Sequence, residues 1–235
     1  MINCIKHFII KYIESYDSLK VLHTKDIITS FDSLCIKTSP SVTDSDLKIL
    51  DKSKIASINL SNCEHFTDVG LSYLTNANTV NVFNCDQISD IGLYHIRNAQ
   101  NVDLSLCNNV TDEGLRHLRS LKTLFLSSLT ITDKGLSYLG QVEELVLISD
   151  RNTDIGLSYL DKIREISLYH SNITNVGLSY LAKAEKIMLW LCDRITDEGL
   201  CYLANAKEVK VSHCNGLTDA GLKKLASFNV CVRKI

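Results

Sequence analysis

The chain has 235 residues, 45% of them hydrophobic and 22% charged, which is enough apolar surface for a folded core and excludes an intrinsically disordered chain. Lys and Arg number 25 against 27 Asp and Glu, a formal net charge of -2, so no global positive field exists to recruit nucleic acid or a membrane, and neither partner is expected. Nine cysteines with no secretory signal point to reduced thiols in a cytoplasm, that of its own cell or of a host cell into which it is delivered.

In chain order, Ile2, Ile5, Phe8, Ile9, Tyr12, Ile13 and Tyr16 fall at helical spacing with Lys6 and Lys11 outward, which predicts an amphipathic helix at the N-terminus. Thr24 ahead of Ile27, Ile28 and Phe31 reads as a degenerate helical half-repeat. Residues 1–32 are therefore expected to cap a repeat domain spanning 33–235.

The repeat is carried by glycine. Gly70 opens a series of Gly-Leu pairs continued at Gly92, Gly114, Gly135, Gly156, Gly177, Gly199 and Gly221, at spacings of 22, 22, 21, 21, 21, 22 and 22 residues, with Asp46-Leu47 in the same frame upstream. A Thr-Asp or Ser-Asp pair precedes most of them, as in Thr67-Asp68, Ser89-Asp90 and Thr218-Asp219. The hydroxyl can accept from free amides of a first helical turn and the acid suits its positive end, so each pair predicts a short helix. About ten residues downstream an apolar-x-apolar step recurs, from Ile58/Leu60 through Leu124/Leu126 to Val209/Val211, with Leu34/Ile36 and Val230/Val232 at the ends. Such period-two steps predict about ten short strands. One strand and one helix per repeat, neither able to bury its apolar face alone, stack into an α/β solenoid, a horseshoe with one parallel concave sheet and short convex helices. After the last strand come Arg233, Lys234 and Ile235, leaving a sheet edge guarded by two cations; a monomer is expected, with that edge as the route to a dimer.

These residues resemble the leucine-rich repeats, specifically the cysteine-containing subtype, whose Cys-x-x-Ile-Thr-Asp-x-Gly-Leu-x-x-Leu run is matched throughout by Cys192 to Leu203. The resemblance implies a protein-binding scaffold and not a chemistry, because similar repeats form the substrate-receptor portion of F-box proteins and occur in bacterial and viral interaction proteins. About 32 residues precede the first strand and Pro40 is the sole proline, so the F-box itself is expected to be absent. Leu129, Asp150 and Ser171 take the cysteine position in three consecutive shorter repeats, which predicts different local packing there.

Neither a catalytic group, a metal nor a cofactor is expected. Cys63, Cys85, Cys107, Cys192 and Cys214 form a column, but a line of thiols is not the tetrahedral convergence a metal needs, and buried apolar fillers are the expected role. His213-Cys214 suggests a base and a nucleophile, yet adjacent residues there point different ways. Cys201 is the expected accessible thiol, the one a ubiquitin-pathway activity would use. Tyr73, Tyr138, Tyr159, Tyr180 and Tyr202, with His95 and His117, form a second column on the helices, expected to be a half-exposed ladder.

The outward strand positions carry the functional signal. In the N-terminal half they are mostly small and polar, whereas Phe125, Val146, Ile148, Tyr169, Met188 and Trp190 predict an exposed apolar patch on the concave face, bordered by Glu144, Glu165 and Glu208 with Lys186 among them. Patches of this kind mark partner sites. The expected function is thus a non-enzymatic interaction scaffold binding a protein or peptide there, as a substrate-recruiting adaptor or an effector; a structural spacer and a cysteine-using ubiquitin-pathway component are the alternatives.

Overall fold

The computed structural model describes residues 10–12, 34–37, 41–51 and 55–234, which divide between two compact units, Met1–Leu121 and Lys122–Ile235. In the first, β1 (Ile10–Tyr12), β2 (Leu34–Lys37), β3 (Ile55–Asn59), β4 (Thr79–Asn81) and β5 (Asn101–Asp103) pair in parallel, each with its chain neighbour. The second repeats the plan with β6 (Thr123–Ser127), β7 (Glu144–Ile148), β8 (Glu165–Tyr169), β9 (Lys186–Trp190), β10 (Glu208–Ser212) and β11 (Cys231–Lys234). Short helices such as Asp68–Leu71 and Asn175–Tyr180 join successive strands. The architecture is the expected α/β solenoid with parallel strands and brief helices.

The core is a set of columns, one residue per repeat. Ile58, Val80 and Val102 in the first unit, and Leu124, Leu145, Ile166, Ile187 and Val209 in the second, are all nearly or fully buried, as are the helix leucines, among them Leu71, Leu93, Leu136 and Leu178. Full burial of each such side chain is worth about 1.5–3 kcal/mol.

A carboxylate latch joins neighbouring repeats. The side chain of Asp68 accepts the backbone N–H of Ser89 at 2.8 Å and its hydroxyl at 2.5 Å; Asp154 accepts the N–H and hydroxyl of Thr174 at 2.8 and 2.6 Å. Asp44, Asp90, Asp133 and Asp197 hold the Thr of the following repeat in the same way. The held hydroxyl caps its own helix, as Thr174 does by accepting from Val176 N at 3.2 Å. The acid thus does more than answer its own helix dipole; it fixes the N-cap of the next helix. This also explains the glycine: a Cβ on Gly92 would run into the Asp68 carboxylate, and one on Gly177 into Asp154 and Ile173.

Two expectations are corrected. The predicted N-terminal helix falls largely outside the described residues, but Ile10–Tyr12 is a strand paired in parallel with Leu34–Lys37, so no helix runs through those positions; the β-branched run Ile9-Ile10 beside Tyr12 favours strand. In the shorter repeats Leu129 and Asp150 do not take the cysteine place, because both are exposed. Ser128 and Ser149, one residue earlier, are buried there, and Ser171 is buried as expected. Each of the three hydroxyls accepts a backbone N–H two residues on, from Thr130, Arg151 and Ile173, a tighter turn that uses one residue fewer.

Candidate functional site

The candidate site lies on the sheet face of the second unit that points away from the helices. Strand register sets its side chains in three rows. The first runs Thr123, Glu144, Glu165, Lys186 and Glu208; the second Phe125, Val146, Ser167, Met188 and Lys210; the third Ser127, Ile148, Tyr169, Trp190 and Ser212. All eight sequence-predicted site residues are therefore on one face: Phe125, Val146, Ile148, Tyr169, Met188 and Trp190 in the apolar rows, with Glu144 and Glu165 in the first.

Exposure is uneven. Phe125 and Ile148 are 44% and 37% exposed, while Val146 is half-buried, as are Tyr169, Met188 and Trp190, the last three in contact through Tyr169. The Tyr169 and Trp190 rings stack at 6.1 Å with planes 27° apart, and the Tyr169 hydroxyl points at Met188 Sδ, 3.1 Å away. Trp190 stacks on its other side against His213, at 5.4 Å and 29°. Sequence reasoning weighed His213 only as a base beside Cys214 and missed this role. His213 follows the strand in a left-handed conformation (φ 51°), which turns its ring back over the neighbouring strand, and its Nδ1 lies 2.8 Å from the Ser212 hydroxyl. Cys214 is buried while His213 is exposed, and the His213 ring is engaged with Trp190 and Ser212. The signal that could have found the row is position: His170, Leu191 and His213 occupy equivalent left-handed sites.

The border is charge-balanced and not mainly acidic. Lys186 Nζ lies 2.6 Å from Glu165, and Glu208 takes Lys210 at 3.4 Å and Arg233 at 3.3 Å. Three acids and three cations thus share this face, but the pairing is uneven: Glu165 has Lys186, Glu208 has Lys210 and Arg233, and among the described residues Glu144 takes only the Thr123 hydroxyl, at 3.4 Å. One position earlier on each strand, Arg164 pairs with Glu185 at 3.0 Å and Glu143 at 3.9 Å, and Lys207 with Glu185 at 2.6 Å. Lys207 and Arg164 hold the Glu185 carboxyl below the usual carboxylate range, and Glu165 holds the Lys186 ammonium above its ordinary value. These pairs are exposed, so each adds little stability; their effect is to spend the charge within the sheet. Glu165, Ser167, Lys186, Met188, Glu208 and Lys210 edge a shallow depression in this face.

Elsewhere the thiols take the expected buried places: Cys85 and Cys107 donate to Leu60 O and Val82 O at 3.2 and 3.0 Å, and burial pushes them up to about 11 and about 12. Cys201 and Cys231 are exposed. Tyr138, Tyr159, Tyr180 and Tyr202 are each roughly half-exposed on the helix side, beside exposed Ile155 and Val176. Among the described residues no His, Cys, Asp and Glu cluster could hold a metal, and no helix is long and apolar enough to cross a membrane.

A family model described as Leucine Rich repeat matches residues 207–226, the repeat that begins at β10. No curated protein matches the sequence. Solved structures similar to the chain include one from the yeast Rad7 and Elc1 complex, at 17% identity and a TM-score of 0.70, covering 93% of this chain and 65% of that one, so this chain spans just under two thirds of its length. Two internalins of Listeria monocytogenes also match. Internalin C2 is 25% identical over 81% of this chain and 84% of its own, with a TM-score of 0.57. The other (inlF) is 18% identical over 94% and 67%, with a TM-score of 0.65.

Proposed function

We propose that this chain, whose fold and one matched repeat are those of leucine-rich-repeat proteins, is a non-enzymatic scaffold taking a protein or peptide on the open face of β6–β11, with Trp190 at the centre of the contact. The observation that carries this reading is the stacked row Tyr169, Trp190 and His213, three rings placed where the fold requires no apolar side chain. Aromatic groups pre-organised on strands are the usual anchors of protein recognition, since little side-chain freedom is left to lose on binding. Phe125, Ile148, Val146 and Met188 extend the anchor, and Glu144 and Glu165 border it. The yeast structure of similar fold is a complex, of Rad7 with Elc1; a role as an adaptor, or as an effector, is part of the proposal and rests on the face alone. A reducing cytoplasm, which keeps Cys85 and Cys107 as thiols, is its proposed location.

An affinity capture from cell lysate tests the reading, with wild type beside the Trp190→Ala, Tyr169→Ala double variant and bound proteins identified by mass spectrometry. A protein held by wild type and weakened by at least about 2 kcal/mol in the variant is the expected result. Equal retention by both chains overturns it.

A further inference from the structure

Resting on the proposed function above, we infer that the segment bound on this face is an extended, uncharged peptide stretch that lays aliphatic side chains across the ring edges and offers an acceptor to the Trp190 indole N–H. Two independent features select this occupant over a charged or ring-inserting one.

The first is the balance of charge. Glu165, Glu208 and Glu185 are each within ion-pair distance of a lysine or arginine of the same sheet. Glu144 is the exception, exposed and, among the described residues, taking only the Thr123 hydroxyl at 3.4 Å; elsewhere on the face a charged partner would have to break an existing pair to gain a new one, so charge contributes little to steering or holding it. The alternating sign suits amide dipoles, which present N–H and C=O in turn.

The second is ring coverage. Both faces of Trp190 are occupied, by Tyr169 at 6.1 Å and His213 at 5.4 Å. A cation needs an open aromatic face and a planar ligand needs a slot, and Trp190 has neither to give. What remains is the edge of the row and the indole N–H, which no described residue accepts. Ser167, between Val146 and Met188 in the middle row, is the small residue of that row and borders the shallow depression that Met188 also edges, where we place an aliphatic side chain of the segment.

The test uses displayed random peptides about twelve residues long, selected on the full chain, with the consensus peptide then synthesised. Trp190 is the chain's single tryptophan, so its emission reports binding at the site directly. The expected result is an aliphatic consensus of near-zero net charge that shifts Trp190 emission and whose Kd changes less than about threefold between about 50 and 500 mM NaCl. A strongly charged consensus that weakens about tenfold or more over that range overturns the inference while leaving the face as the site. Peptides that bind the Trp190→Ala and Tyr169→Ala variants as well as wild type remove the face itself, and the proposed function with it. Failure to enrich any peptide overturns the extended segment alone, because a folded partner could still be captured. His213→Ala supplies a second readout, since it uncovers one face of Trp190. Tetramethylammonium should then perturb Trp190 emission in the variant and not in wild type, and an equal response from wild type contradicts the covered-face account.

Discussion

The two units share one frame and differ in what their sheets show to solvent. In the first, the middle outward position is Asn59, Asn81 and Asp103, and each side chain accepts the backbone N–H two residues on, from Ser61, Phe83 and Ser105, at 2.9, 2.9 and 3.0 Å. These turns end β3, β4 and β5 early, and Asn81 also donates to Asp103 at 3.2 Å, so the polar groups are satisfied among themselves. In the second unit the same position holds Phe125, Val146, Ser167, Met188 and Lys210. With no Asx side chain to turn the chain, β6 to β10 run two residues further and bring out Ile148, Tyr169 and Trp190. One choice at one strand position therefore sets both strand length and the character of the surface.

Breaking the shared frame should cost most. Asp68→Ala in the first unit and Asp154→Ala in the second each remove two bonds to the next N-cap and leave an N–H without its partner, so each is expected to lose about 2–3 kcal/mol in denaturant unfolding; a loss in one unit alone would mean the latch is not common to both. The next effect belongs to the second unit. Asn152 is fully buried with no partner for its side-chain amide among the described residues, at the position where neighbouring repeats carry Ile131 and Ile173. Asn152→Ile should stabilise by about 1–2 kcal/mol, read as a higher denaturation midpoint.

An alkaline effect belongs to the first unit. Because burial raises Cys85 to about 11 and Cys107 to about 12 from an ordinary 9.0, the unfolded chain releases these protons before the folded one does. Stability is whole below about pH 9 and falls as pH rises toward 11–12. Unfolding midpoints measured across that window should fall less steeply in Cys107→Ala; an unchanged slope would count against the thiol as the cause. The smallest effect is backbone strain. Leu106 sits at φ 61° where Asn62 and Asn84 precede it, so Leu106→Asn should gain about 0.5–1 kcal/mol in thermal melting.

The fold was legible because glycine, Thr-Asp and the paired apolar steps recur at one period, and every copy restates the same local chemistry. The face was legible too, since alternation along a strand assigns Phe125 and Trp190 to one side. What sequence reasoning missed depends on contact between repeats. Asp68 reads as a helix-dipole acid until Ser89 is seen against it, 21 residues away. His213 reads as a neighbour of Cys214 until its backbone conformation lays it on Trp190. Glu144, Glu165 and Glu208, with Lys186 among them, read as a mainly acidic border until Lys210 and Arg233 are seen beside Glu208. Ser128 and Ser149 escaped because one deleted residue shifts the count by one.

The latch has a direction. The acid of one repeat grips the Thr or Ser of the next, and where Asn175 replaces the acid it still accepts the Thr196 N–H, at 2.9 Å, while its amide donates to the hydroxyl at 2.8 Å, so the coupling refers to position in the series more than to the identity of either neighbour. A chain built this way can be lengthened, shortened or recombined by whole repeats, with each new junction closing on the same two groups. The proposed binding face, carried by strand positions the latch never touches, is then free to change independently of the rule that assembles it.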